Sequence, residues 1–92
     1  MIELVYTSDF LRDVEWLRKH DRRLFEKVRD LAADISEHPE TGKGKPERLK
    51  HYAELVVFSR RIDKKNRLTY EIIDSEHVRM LACRGHYADK RG

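Results

Sequence analysis

The first half of the chain changes from an alternating hydrophobic pattern to two helical ones. Apolar side chains alternate along residues 2–7, which predicts a short strand that is at least half buried. Residues 7–9 then offer N-cap chemistry for a first helix, which ends near the basic pair Lys19 and His20. Its buried stripe is formed by Phe10, Val14 and Leu17.

A second helix is predicted to follow at once. Asp21 is a natural N-cap, and Pro39 stops the helix because proline disfavours helical geometry in the residue before it. Almost no loop separates the two helices, so they should form a hairpin. The apolar stripe of this helix recurs at steps of four, three and four: Leu24, Val28, Leu31 and Ile35.

The second half of the chain is predicted to form strands. Residues 55–62, 67–73 and 78–83 are rich in β-branched and aromatic side chains or alternate in polarity, with polar turns at 63–66 and 74–77. Three strands at this spacing predict an antiparallel meander, one face of which the helix pair covers. We therefore expect a single α+β domain over residues 1–92, with 88–92 as a flexible tail.

The other sheet face is expected to carry arginines in mid-strand. These are Arg67 and either Arg60 or Arg61, depending on the register of the preceding strand. Arginines at such positions are unusual for a plain scaffold.

The two halves meet in a basic crossover, Gly42–His51, which contains three lysines, one arginine, one histidine and a single carboxylate, Glu47. Two glycines and Pro46 make it a poor helix and an unfavourable central strand. The run Gly-Lys-Gly-Lys lacks the spacing and the following Ser/Thr of a phosphate-binding loop. A polar crossover between regular halves is a common place for a functional site.

Charge is unevenly distributed between the halves. Residues 1–40 hold seven Lys/Arg and ten Asp/Glu, a net −3, whereas residues 41–92 hold thirteen and seven, a net +6. The second half therefore suits a polyanionic partner such as RNA, DNA or an acidic protein. A solvated basic surface without a partner is the alternative on charge alone.

Several function classes have no support in the sequence. Cys83 is the one cysteine, and the scattered histidines have no zinc-ligand spacing, so we expect no metal and no cofactor. We also expect no signal peptide and no membrane span, because the chain lacks a basic start with a long apolar run. These features predict a cytoplasmic protein.

The remaining chemistry is that of acids, bases and cations. RNA carries its own nucleophile, the 2′-OH, so cleavage needs a base, cations that stabilise the charged phosphorane and an acid for the leaving 5′ oxygen. Each group also has a simpler interpretation: Glu47 pairing with Lys45 or Lys50, or Arg67 with Glu71. The candidate groups are Glu47, Lys50, Arg61, Arg67, His86 and Tyr87.

Four motifs closely resemble the YoeB/Txe branch of the RelE toxin superfamily. They are Gly-Lys-Gly-Lys-Pro-Glu-Arg-Leu-Lys-His at 42–51, Ser-Arg-Arg-Ile-Asp at 59–63, Asn-Arg-Leu-Thr-Tyr at 66–70 and Cys-Arg-Gly-His-Tyr at 83–87. The resemblance implies a RelE-like, microbial-RNase-like fold in the order β-α-α-β-β-β, with a further short strand near Leu49.

The same resemblance implies a type II toxin that cleaves mRNA in the ribosomal A site. Glu47 matches the general base, His86 the general acid, Arg67 the transition-state arginine and Tyr87 a substrate-positioning tyrosine. The implied RNA-binding residues are Lys45, Lys50, Arg60, Arg61 and Arg84. The implied partners are a cognate antitoxin and the ribosome with its mRNA. The sequence leaves open whether the chain also forms a homodimer.

A non-catalytic module is the rival interpretation. In it the basic half binds RNA, the ribosome or an antitoxin, and Glu47 and His86 are ordinary surface residues.

Overall fold

The structure, a computed structural model, describes residues 2–85 and contains two helices and five strands in that range. The predicted element order is confirmed, including the additional short strand near Leu49. The elements are β1 (Glu3–Tyr6), α1 (Ser8–His20), α2 (Arg22–Glu37), β2 (Glu47–Arg48), a 3-10 turn (Lys50–Tyr52), β3 (Val57–Arg61), β4 (Arg67–Ile72) and β5 (His77–Ala82).

The five strands form one sheet in the order β1-β5-β4-β3-β2. The predicted meander is present, since β3, β4 and β5 pair antiparallel in succession. At one edge β1 pairs parallel with β5, and at the other edge β2 pairs antiparallel with β3. The register between β4 and β5 shifts at Thr69 and Tyr70, a bulge that increases the local twist.

A single residue, Asp21, connects the two helices of the hairpin. Its backbone N–H donates to the carbonyl of Leu17 at 2.8 Å and closes α1. Its carboxylate accepts from the backbone N–H of Leu24 at 3.2 Å and caps α2. One residue thus satisfies orphan backbone groups of both helices, which explains why no loop is needed.

The core lies between the helix pair and one face of the sheet. Residues paired directly across strands share a face, so Phe58, Tyr70 and Met80 form one row that points toward the helices. This row packs with the buried stripes of α1 and α2: Phe10, Leu17, Val28, Leu31 and Ile35. None of the helices in residues 2–85 is long and apolar enough to cross a membrane.

The alternating burial predicted for the first strand is present at Ile2 and Leu4, which pack against the core, while Glu3 and Val5 are exposed. Tyr6 is the exception on the predicted buried side, with 48% of its surface exposed. It lies at the end of β1, which is an edge strand of the described sheet and pairs there with β5 on one side.

Replacing the shared cap should weaken the hairpin. We expect Asp21→Ala to lower the free energy of unfolding by about 0.5–2 kcal/mol, the usual cost of losing an N-cap carboxylate. Urea denaturation measures this. The control is Asp30→Ala, an exposed aspartate within α2 that should change stability by less than about 0.5 kcal/mol. Equal effects of the two substitutions would show that the cap is unimportant.

Candidate functional site

The strand register brings Glu47 and Arg67 to the same face of the sheet. Glu47 lies opposite Ser59, Ser59 lies opposite Thr69, and Arg61 lies opposite Arg67. Ser59 and Arg61 are two residues apart on β3 and therefore point the same way. We call this surface, turned away from the helices, the open face.

Glu47 and Arg67 are close enough to act on one bound group. They are two strands and two residues apart, roughly 12 Å between Cα atoms from standard sheet spacings. Both side chains are long, so their charged ends can converge on a single phosphodiester between them.

The simple ion pairs considered for these residues are not observed in the described range. Glu47 is exposed, and within residues 2–85 it forms no salt bridge with Lys45 or Lys50. Glu71 pairs with Arg79 at 2.9 Å rather than with Arg67. The Nε atom of Arg67 is buried and has no hydrogen-bond partner among the described residues. Both groups thus keep their hydrogen-bonding capacity for another molecule.

Three further predicted residues are exposed cations beside Glu47. Lys45 lies two residues before it with a positive φ of 53°, and Lys50 begins the 3-10 turn. Arg61 ends β3 on the open face. Sequence left the choice between Arg60 and Arg61 open, and the structure selects Arg61 for this face.

The prediction that Arg60 binds RNA is wrong. Arg60 is fully buried at 0% exposure and points to the helix side of the sheet, in the row of Phe58 and Leu68. Its guanidinium donates five hydrogen bonds and has no donor left for a phosphate. The acceptors are Tyr70 Oη (3.0 Å), Asp34 Oδ2 (2.5 Å) and the carbonyls of Lys43 (3.0 Å), His38 (2.5 Å) and Thr41 (2.8 Å).

Arg60 therefore ties the crossover to the sheet. Three of its acceptors are carbonyls of residues 38–43, which lie outside any helix or strand. Tyr70 extends the network by donating to the carbonyl of Pro39 at 2.7 Å. The loop leading to Glu47 is held by side chains in place of regular backbone pairing.

The electrostatics of this network follow from its burial. The hydrogen bond from Arg60, reinforced by the backbone N–H of Lys43, holds the pKa of Asp34 below its usual value. Burial raises the pKa of Tyr70, and the hydrogen bond from Arg60 opposes that shift. The Asp34 carboxylate, 15% exposed, is thus the counter-ion that makes a buried guanidinium tolerable.

Two glycines let the crossover approach this network closely. A Cβ on Gly42, whose φ is +110°, would lie 2.1 Å from Asp34 Oδ2. A Cβ on Gly44, whose φ is +80°, would lie 3.1 Å from the carbonyl of Arg61, while the Gly44 carbonyl accepts from Arg61 N at 2.7 Å. Side chains at these positions would push the loop off the sheet edge.

Arg84 lies apart from the open-face set. Its guanidinium carbon is 3.7 Å from the centroid of the Trp16 ring on α1, a cation–π contact. Trp16 is partly exposed and also stacks on His20, as expected for a residue at the rim of the core.

The predicted acid His86 and tyrosine Tyr87 lie outside the described residues. The chain just before them is well anchored: Gly85 N donates to Asn66 Oδ1 at 2.7 Å, and Arg67 N donates to the Gly85 carbonyl at 2.9 Å. Cys83 is buried, and its N–H donates to Asp13 Oδ2 at 3.0 Å. In the range 2–85, no three His, Cys, Asp or Glu side chains are grouped to hold a metal ion.

Comparison with known proteins decides the family. A model of the YoeB-like toxin of bacterial type II toxin–antitoxin systems matches residues 6–87. The chain belongs to this family. It is 35% identical to Toxin YoeB of Escherichia coli K12 over 94% of its own length and all of that protein.

Solved structures agree with the family and with the predicted RelE-like fold. The "YoeB/ParE toxin from Agrobacterium tumefaciens" superposes with a TM-score of 0.85 at 34% identity, covering 94% of this chain and 100% of that one. YoeB in a heterotetrameric YoeB–YefM toxin–antitoxin complex from Staphylococcus aureus superposes with a TM-score of 0.79 at 27% identity, covering 95% and 99%.

Sequence reasoning about this YoeB-family chain missed the residues that support the site. Asp34 lies within the span of the apolar stripe of α2, between Leu31 and Ile35, and was not singled out, and Ser59 appeared only within a motif. For Arg60 a signal was available, because it alternates with Phe58 and Ile62 and so shares the buried face.

Removing the charge of Asp34 should destabilise the protein in a pH-dependent manner. We expect Asp34→Asn to cost about 1.5–3 kcal/mol at pH 7, the range for a hydrogen bond to a charged group. Because the folded-state pKa is depressed, this stabilisation is present above the unfolded pKa of about 3.9 and lost as pH falls through the folded value. The difference in stability between the two proteins should therefore begin to shrink near pH 4 and close only below the folded-state pKa of Asp34.

Urea denaturation at a series of pH values tests this, with Glu37→Gln, an exposed carboxylate at the end of α2, as the control. A difference between wild type and Asp34→Asn that does not change with pH would contradict the assignment.

Proposed function

We propose that this chain is the toxin of a type II toxin–antitoxin pair and acts in the cytoplasm as a ribosome-dependent endoribonuclease that cleaves mRNA. Family membership supports the toxin role. The observation that carries the catalytic proposal is the shared open face, where Glu47 and the Arg67 Nε lack partners among residues 2–85. An unpaired carboxylate beside unpaired cationic donors suits acid–base cleavage of RNA.

In the proposed reaction Glu47 takes the proton of the ribose 2′-OH. The 2′ oxygen attacks the adjacent phosphorus, and Arg67 stabilises the negative charge that develops on the phosphorane oxygens. The bond from phosphorus to the 5′ oxygen breaks, and His86 donates a proton to that leaving oxygen. The products are a 2′,3′-cyclic phosphate and a 5′-hydroxyl, and Tyr87 positions the substrate. DNA has no 2′-OH, so the same groups would leave it intact.

Lys45, Lys50 and Arg61 form the proposed RNA-binding rim. All three are exposed beside Glu47. Their long cationic side chains can therefore contact the phosphate backbone of RNA without breaking an interaction that stabilises the fold. Arg84 would contribute from the side of Trp16. Arg60 is not part of this surface.

The proposed regulatory partner is an antitoxin protein, as in the YoeB–YefM complex of the related toxin. Residues 41–92 carry a net charge of +6, so the segment that covers the open face should be acidic and amphipathic. It would inhibit by covering Glu47 and the basic rim.

Replacing the proposed base should abolish cleavage but not folding. We expect Glu47→Gln to reduce mRNA cleavage on programmed ribosomes by about 10²–10⁴-fold, the usual contribution of a general base. His86→Gln should have an effect of similar size. Single-turnover cleavage of a defined mRNA measures both, and the toxicity of the expressed variants provides a second reading.

Glu54→Gln is the matched control, since Glu54 is an exposed carboxylate in the nearby connection between β2 and β3. If Glu47→Gln stays folded and as toxic as wild type, the acid–base assignment fails. If the wild-type protein binds ribosomes and leaves mRNA intact, the chain is instead a non-catalytic binding module.

Neutralising the rim should weaken ribosome binding in a salt-dependent way. We expect Lys50→Gln with Arg61→Gln to lower affinity and to reduce the slope of log K against log salt by roughly one for each cation removed. Equilibrium binding to ribosomes at several salt concentrations measures this.

The control is Arg22→Gln with Arg29→Gln, which removes two exposed cations from α2 and leaves the same net charge. Equal losses from both pairs would mean that total charge, and not the open face, governs binding.

A further inference from the structure

Two polar side-chain atoms of the described chain are buried without a hydrogen-bond partner: Ser59 Oγ and Arg67 Nε. Both belong to the open face. Buried donors are nearly always satisfied in folded proteins, so two exceptions on one surface indicate that the surface is completed by another interaction. Arg67 already has a place in the proposed reaction, whereas nothing so far accounts for Ser59.

Ser59 faces Glu47 directly across the pairing of β2 with β3. Side chains in directly opposed positions have Cβ atoms about 5 Å apart, a separation that one hydroxyl–carboxylate hydrogen bond spans. The serine hydroxyl can rotate to donate, and the carboxylate accepts. No bond between them is present in residues 2–85, where Glu47 is exposed and Ser59 Oγ is buried without a partner.

The neighbour on the other side is already engaged. Thr69 lies opposite Ser59 on β4, and its hydroxyl is directed to the Ala82 carbonyl at 3.5 Å. On the open face Glu47 is therefore the cross-strand neighbour of Ser59 whose polar group is uncommitted among the described residues.

We propose that Ser59 is a positioning residue for Glu47. When RNA is bound, its hydroxyl donates a hydrogen bond to the Glu47 carboxylate and fixes that carboxylate against the 2′-OH. The inference rests on the proposed function, because it assigns Ser59 a role in the same cleavage.

The physical benefit is pre-organisation. An exposed glutamate samples several rotamers, and a base that is out of place by about 1 Å can cost around 100-fold in rate. A donor built into the central part of the sheet limits that freedom. The free protein then carries a buried hydroxyl without a partner, which is the kind of stability cost that proteins accept at functional sites.

If the Ser59 hydroxyl serves Glu47 and not the fold, its removal should slow cleavage and leave stability unchanged. Ser59→Ala removes a hydroxyl that has no bond to lose, so the melting temperature should stay within about 1 °C of wild type or rise. Single-turnover cleavage on programmed ribosomes should slow by about tenfold to hundredfold, whereas affinity for the ribosome should change by less than about twofold.

Ser36→Ala is the control for which we expect the opposite result, a loss of stability without a loss of cleavage. Ser36 Oγ donates to the Ile2 carbonyl at 3.0 Å, far from the open face in the α2–β1 contact. Its loss should lower the melting temperature by about 4–8 °C, the shift produced by one lost hydrogen bond in a domain of this size. The cleavage rate of the folded protein should be unchanged.

A double variant tests whether Ser59 acts through Glu47. Adding Ser59→Ala to Glu47→Gln should reduce the residual rate no further, since the group that Ser59 positions has already lost its charge. Ser59→Thr keeps the hydroxyl and should restore most of the rate lost in Ser59→Ala.

The outcomes separate the inference from the proposed function. If wild type cleaves mRNA, Glu47→Gln does not, and Ser59→Ala cleaves at the wild-type rate, the inference is wrong and the function stands. Weaker ribosome binding with an unchanged rate would place the hydroxyl on RNA and also overturn it, as would a fall in melting temperature like that of Ser36→Ala. If wild type itself does not cleave, the proposed function is what fails.

Discussion

The buried guanidinium of Arg60 is the interaction on which the rest of the structure depends. The chain between α2 and β2 has no regular pairing of its own, yet it must pass over the sheet edge to deliver Glu47. Arg60 resolves this by donating to three carbonyls of residues 38–43, while Asp34 balances its charge and Tyr70 occupies its Nε. Through these bonds the guanidinium holds residues 38–43 against the sheet in one conformation.

Neighbouring positions of β3 serve opposite purposes. Arg60 points toward the helices and has every donor satisfied, whereas Ser59 and Arg61 on either side of it point to the open face. There the buried donors of Ser59 and Arg67 have no partner in residues 2–85. On the helix side of β3 the polar donors all have partners and stabilise the fold. On the open face the unpaired donors are suited to a polyanionic substrate.

Much of the architecture was predictable because the buried face of a helix or strand appears in the sequence as apolar residues at a regular spacing. The stripe from Leu24 to Ile35 and the stop at Pro39 located α2, and Asp21 was recognisable as its cap. Alternation located β4 and the meander. It placed Leu4 correctly on the buried side of β1 and overestimated the burial of Tyr6, because alternation records which residues are apolar and does not record that a strand lies at the sheet edge.

The sequence by itself determined the order of elements, the basic second half and, through its motifs, the family and the candidate residues Glu47 and Arg67. Only the tertiary structure decided that Asp34 is the counter-ion of Arg60 and that Ser59 stands opposite Glu47. The reason is physical. Period and polarity are properties of a single segment, whereas register, burial of a charge and satisfaction of a donor depend on which distant segment lies across from it.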